Sequence, residues 1–343
     1  MSTAPEPFSV LLSFWYYRSD NAMDAITGAL RQARDEGRPI RLLLDSGAFS
    51  ALTQGHSITA EDYAAWLDLV MPLWGEWVVG AINLDVIGEA GPSWANWTAL
   101  RDRGHDTMPV THLGDTFDVA DRYVDAGADY LATGNLVGSG ADRMLRWCAH
   151  LHRHLRDHHP DVRLHALGAT GRRIVERLPW WSIDASSFGA AYRYGRLVLF
   201  DPRTRGIHYV KLPGHRNLAA KRTTDLYRHG ALLRDLYGVD PAAIHEATPE
   251  NRHLLVRIAT LATLFWQADL RSRRQVPPPP SRKDRQLTGT HVHAVDGYTP
   301  HMVQAIGTHV GTHVHYAEGS SGITAEVMGA AAADGHRADP KEA

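Results

Sequence analysis

Six places in the chain set a polar side chain or a glycine directly after a short apolar run. They are Asp45 in RLLLDSGAF, Asp85 in AINLDVIG, His112 in MPVTHLG, Gly134 with Asn135 in YLATGNLVG, His165 in RLHALGA and Asp184 in WSIDASSF. A carboxylate at the end of a buried run is costly unless it is paired, hydrogen-bonded or used. Any one of these aspartates alone reads as a helix cap or a turn former. Three that converge on one mouth suit glycosyl transfer. One carboxylate attacks an anomeric carbon, one shuttles a proton, and one accepts hydrogen bonds from the donor edge of a base. The glycines in DSGAFS and TGNLVG leave room for a flat ligand and expose backbone N–H groups.

His112 and His165, with the aspartates, also form a candidate zinc set. The chain lacks an HxH pair on its first strand and a lysine at mid-barrel, so no metal is expected at these residues. The tail pairs His291/His293 and His313/His315 sit in a low-complexity stretch, where adventitious metal binding is the plainer reading.

The elements that must position these residues alternate. SVLLSFWYY reads as a strand, and Asn21 to Glu36 as a helix with Met23, Ile26, Leu30 and Ala33 on one face. RLLLDSGAF is a buried strand, and the helix after Thr59 opens on Glu61 and Asp62, which suit a helix N-terminus. WVVGAINLDVIG, MPVTHLG, ADYLATGNLVG, RLHALGA and WSIDASSF are further strands. Between them lie helices over PSWANWTALRDRG, Val119 to Ala126, Ala141 to His158, and a short one ending at Leu178. Near-continuous apolar runs and repeated β-then-α order predict a parallel sheet covered on both faces. The expected fold is a (β/α)8 TIM barrel over residues 1–275, with a doubly wound open sheet as the alternative. RLVLFDP and HYVKL read as a hairpin inserted after strand seven, and Asn251 to Arg271 as the helix that closes the ring. Residues 276–343 read as a Pro-rich basic linker and a loosely ordered His/Gly/Ala-rich tail outside the barrel.

Composition sets the outer limits. The 343 residues suffice for one barrel with additions, and 36 basic against 38 acidic residues give a net charge of −2. Nucleic-acid binding would therefore need a local basic patch. Cys148 is the single cysteine, which excludes a disulfide framework and a Cys-based zinc site. No run reaches the roughly 18 apolar residues of a membrane span, and the first residues lack a signal-peptide pattern. A soluble cytoplasmic protein is expected.

The ordered set of motifs resembles the tRNA-guanine transglycosylase superfamily. LLLDSGAFSA resembles the family's DSGGFQ signature, and GNLVGSG its glycine turn against the base. LHALGAT resembles an HxxG-type strand end, and SIDASSF the strand that carries the nucleophilic aspartate. The resemblance covers roughly residues 9–200. The chain lacks the three-cysteine, one-histidine zinc site of the tRNA enzymes and reads DSGAFS for DSGGFQ, so it is closest to the short phage-type branch that places 7-deazaguanines in DNA.

The resemblance implies guanine/7-deazaguanine exchange through a covalent aspartyl-glycosyl intermediate. Asp184 would be the nucleophile and Asp45 the general acid and base. Asp85 would accept from the N1 and N2 donors of the base. Asn135, Gly134 and Leu136 would contact the carbonyl or 7-substituent, and Ser46, Gly47 and Phe49 would shape the pocket. His112, His165 and Gly168 complete the expected lining, and Phe49 or the pair Tyr16/Tyr17 would stack on the base. The target base must leave the stack. Phosphate contacts would come from Arg193, Arg196, Lys211, Lys221, Arg222, Arg271, Arg273 and Arg274. The implied partners are DNA and a base such as 7-cyano-7-deazaguanine, with no cofactor. A homodimer is also implied, although the sequence shows no clear motif for one. If the gene is phage-borne, the compartment is the host cytoplasm. The alternatives are a queuine-type exchange on tRNA, hydrolysis of an N-glycosidic bond, and a barrel that binds nucleic acid without catalysis.

Overall fold

The computed structural model describes residues 8–136, 140–169, 171–185, 190–212, 224–274, 289–292 and 312–314. The chain is mixed α/β with two parallel sheets. The first has the order β1 (Phe8–Ser13), β2 (Ile40–Asp45), β3 (Val78–Ile82), β4 (Thr107–Met108). The second runs from β5 (Val110–His112) through β6 (Tyr130–Gly134), β7 (Arg163–Ala166) and β8 (Ser182–Ala185) to β11 (Gly289–Val292) and β12 (Thr312–Val314). A separate antiparallel hairpin, β9 (Arg196–Asp201) and β10 (Gly206–Lys211), follows β8 in the chain.

Helices separate the parallel strands. After β1 come α1 (Phe14–Tyr17) and α2 (Asp20–Asp35), and after β2 come α3 (Ala48–Thr53) and α4 (Ala60–Trp74). Then follow α5 (Ala90–Asp102), α6 (Phe117–Asp125), α7 (Ala141–His158), α8 (Arg172–Arg177) and α9 (Ala190–Tyr194). Beyond the hairpin lie α10 (Thr224–Arg228), α11 (Gly230–Leu232) and the long α12 (Arg252–Arg274). Local signals explain several boundaries. The Ser19 side chain accepts from Ala22 N–H to start α2, and Thr59 accepts from Asp62 N–H to start α4. The α2 face expected from the sequence is the buried one, with Met23, Ile26, Leu30 and Ala33 inside.

The sheets bury both faces. Val10, Leu12, Leu42 and Leu44 pack outward against α2 and α4, in one core with Ile26, Leu30, Trp66 and Trp74. The alternate residues point the other way. Leu11, Leu43, Ile82, Met108, Val110, Tyr130 and Ala132 form a second apolar cluster, drawn from strands of both sheets. A third core beneath α6, α7 and α8 holds Tyr123, Cys148, Leu151 and Ile174. The hairpin packs with α12 through Leu197, Leu199, Phe200, Leu255 and Ile258.

Four expectations need correction. The first strand stops at Ser13, and FWYY turns into α1. MPVTHLG is two strands, because Pro109 has no N–H for the ladder: β4 pairs with β3, and β5 with β6. The two sheets are therefore not joined by a ladder into a closed barrel. Lastly, the tail is not wholly outside the fold, since β11 pairs in parallel with β8, and β12 with β11, satisfying an otherwise open sheet edge. The linker 276–288 and the remainder of the tail lie outside the described residues.

The packing of α7 makes one prediction. Cys148 is fully buried, and burial pushes its thiol up to about 12. Iodoacetamide at pH 8 should leave Cys148 unlabelled in the folded protein and label it fully in denaturant. Equal labelling rates in both conditions would contradict the placement of this helix face.

Candidate active site

In each parallel sheet the strands' C-terminal ends lie along one edge. The first sheet puts Ser13 opposite Asp45 there, and Asp85 follows β3. The second puts His112 opposite Gly134, with Ala166 and Asp184 at the ends of β7 and β8. One side-chain contact ties the two edges together. His112 Nε2, from the second sheet, lies 2.7 Å from Asp85 Oδ2, on the first. A carboxylate only accepts, so Nε2–H is the donor. His112 is buried, and the Asp85 side chain is 12% exposed. The His112 backbone N–H donates to Asp115 Oδ2 at 2.7 Å, which fixes the strand end that carries the imidazole.

Gly134 is required by this contact. A Cβ there would stand 2.9 Å from Val110 Cγ1 and 3.0 Å from His112 Cδ2. The next residue, Asn135, is exposed and left-handed at φ 55°, and Leu136 turns back into the core at 2% exposure. Thus Gly134 serves first to admit the His112 ring.

Asp184 is the most deeply placed of the three aspartates, at 1% exposure. The Gly168 backbone N–H donates to its Oδ1, and Gly168 holds φ 64° to make that approach. His165 Nε2 lies 3.4 Å from the same oxygen. On the far side of the ring, His165 Nδ1 is hydrogen-bonded to Ser182 Oγ, which is also bonded to the Tyr130 hydroxyl. Ladder register produces this line-up, since His165 lies directly opposite Ser182 and two residues along β8 is Asp184.

Asp45 ends β2 half-buried and accepts from Gly47 N–H at 2.9 Å, an Asx-type turn. Gly47 has φ 74°, and a Cβ on it would strike Ser13 Oγ and Trp15 Cβ. Ser46 is buried and sits 3.4 Å from the Asn83 carbonyl. Burial raises the Tyr16 phenol above its usual range. Hydrogen bonds to Ser50 and Gln54 and the Arg193 charge oppose that shift, while the Asp45 charge adds to it. The Asp45 and Arg193 charges thus both act on the Tyr16 hydroxyl.

The remaining expected residues divide. Phe49 lies half-buried on α3, and Tyr17 is a core residue whose carbonyl accepts from Trp66 Nε1–H, so only Tyr16 of the tyrosine pair belongs to this edge. Arg196 and Lys211 face each other across the hairpin ladder, both exposed. Arg271, Arg273 and Arg274 are on the last turns of α12, where Arg273 pairs with Asp269 and Glu176. Arg193 is an expected phosphate contact whose charge acts on Tyr16. Lys221 and Arg222 lie outside the described residues. Sequence reasoning missed Ser182, Tyr130, Asp115 and Asn83. Ser182 was within reach, since it precedes Asp184 by two and so shares its face of the strand.

Comparison with protein-family models and with curated protein sequences finds no match. Among the described residues, no helix is long and apolar enough to cross a membrane.

Replacing Gly134 with alanine tests the bridge between the edges. The added methyl should cost about 1–3 kcal/mol, the usual range for overpacking a filled site. Urea unfolding of Gly134→Ala against the wild type reads that loss. An unchanged midpoint would show that His112 does not pack against Gly134.

Proposed function

We propose that the protein exchanges guanine for a 7-deazaguanine in DNA by double displacement, on a (β/α)8-type barrel mouth formed by both sheet edges. The observation that carries this reading is the pairing of two strand-end carboxylates with histidines from neighbouring strands, Asp85 with His112 and Asp184 with His165. Asp85 is held by the His112 hydrogen bond and Asp184 by the Gly168 N–H with His165 beside it, the fixed orientation that preorganised chemistry needs. Support for the barrel comes from the inner cluster shared by both sheets and from β12, which runs alongside β1.

The roles follow from the geometry and the resemblance together. A carboxylate oxygen of Asp184 attacks C1′ and forms a C1′–O bond as the C1′–N9 bond breaks. The electron pair leaves on guanine, which takes up one proton, and the incoming base gives one up. Asp45 carries that proton in both half-reactions. Asp85, fixed by His112 through Oδ2, presents its carboxylate to the N1–H and N2–H donors of the base. The exposed, left-handed Asn135 supplies a polar group at the end of β6. Arg193, whose charge acts on Tyr16, offers positive charge to the phosphate backbone. Because Asp184 is almost fully covered, the substrate must displace what covers it, in keeping with entry of a flipped nucleotide. The same cover favours exchange over hydrolysis, since it limits water at the covalent intermediate.

The test is nucleoside mass spectrometry on cells that express the protein and receive 7-cyano-7-deazaguanine. DNA and tRNA are digested separately. Deazaguanine should appear in DNA and disappear with Asp184→Asn, while the purified variant retains DNA binding. Deazaguanine in tRNA alone would move the substrate to tRNA. Wild-type exchange in Asp184→Asn would remove Asp184 as nucleophile.

A further inference from the structure

Tyr130, Ser182, His165 and Asp184 form one buried line across β6, β7 and β8. All four side chains are inside the protein, with Tyr130 at 9%, Ser182 at 3%, His165 at 0% and Asp184 at 1% exposure. Nothing in the exchange reaction itself calls for a tyrosine and a serine behind His165. The Tyr130 hydroxyl lies against Ser182 Oγ, and donating its proton there leaves the Ser182 hydroxyl to donate to His165 Nδ1. A neutral imidazole that accepts at Nδ1 carries its proton on Nε2. Nε2 then lies 3.4 Å from Asp184 Oδ1, a close contact that is not a hydrogen bond.

We propose that Ser182 and Tyr130 are positioning residues that lock His165 in its Nε2–H tautomer, and so keep an N–H rather than a lone pair beside the Asp184 carboxylate. The consequence for Asp184 as nucleophile rests on the proposed function; the tautomer lock does not. Burial raises the Tyr130 phenol well above its usual range, which keeps that hydroxyl a donor at any working pH. The wrong tautomer of a histidine beside a reacting group is known to impair catalysis without disturbing the fold.

The experiment is long-range 15N–1H correlation on protein labelled at histidine, with the His165 signals identified by their loss in His165→Gln. The wild type should show the Nε2–H pattern for His165. Ser182→Ala should move it toward a mixture or toward Nδ1–H, Ser182→Thr should restore it, and Tyr130→Phe should weaken it. In base-exchange assays Ser182→Ala should lower kcat roughly ten- to a hundredfold, as for loss of an outer partner of a positioned histidine, with KM little changed and Thr rescuing. An Nδ1–H pattern in the wild type would overturn the lock without any variant being needed. So would an unchanged pattern in folded Ser182→Ala. A tautomer that shifts as expected while kcat holds would overturn the link to Asp184. The expected tautomers in a protein with no exchange activity would confirm the lock and count against the proposed function alone.

Discussion

The hydrogen bond between His112 and Asp85 spans a break that the backbone cannot. At Pro109 the ladder loses a donor, and the parallel strands on either side fall into separate sheets. The chain nonetheless continues in one direction through that residue. The Asn83 N–H donates to the Met108 carbonyl on one side, and the Ala132 N–H to the Pro109 carbonyl on the other. Backbone continuity keeps the two C-terminal edges level, and the side-chain bond from His112 to Asp85 holds them together at 2.7 Å. That bond couples the edge that carries Asp45 and Asp85 to the edge that carries Asp184.

Carboxylate burial sets the second constraint. Taking an ionised group out of water costs several kcal/mol unless local donors replace the lost hydration. The chain meets this cost with backbone donors made available by glycine. Gly47 and Gly168 both hold left-handed backbones, and each N–H donates to the aspartate of its own site, Asp45 or Asp184. Gly134 contributes differently, by omitting a side chain where the His112 ring must pass. The glycines beside the aspartates are thus part of the electrostatics as well as the turn geometry.

Much of this arrangement was legible in the sequence, for a physical reason. A strand buried on both faces is a short apolar run, and it ends abruptly where the chain meets the polar edge. Asp45, Asp85, His112, His165 and Asp184 all stand at such ends. The helix face of α2 and the bounds of α7 were equally readable, because a 3.6-residue period over sixteen or more residues is a strong signal. What could not be read depends on register. Tyr130 and Ser182 meet across 52 residues of sequence, and a serine inside a strand looks like filler until its neighbour is known. The split at Pro109 was signalled by the proline, but the apolar residues around it read as one strand. The β11 and β12 segments were hidden by their shortness within a Gly-, Thr- and His-rich tail.

The most direct test of the central claim is capture of the covalent intermediate. Protein mixed with guanine-containing DNA and no incoming base, then quenched in denaturant, should carry a glycosyl adduct. Peptide mapping by mass spectrometry should place it on the tryptic peptide with Asp184, and Asp184→Asn should abolish it. An adduct on Asp45 or Asp85, or exchange activity with no adduct at any aspartate under these conditions, would contradict the account.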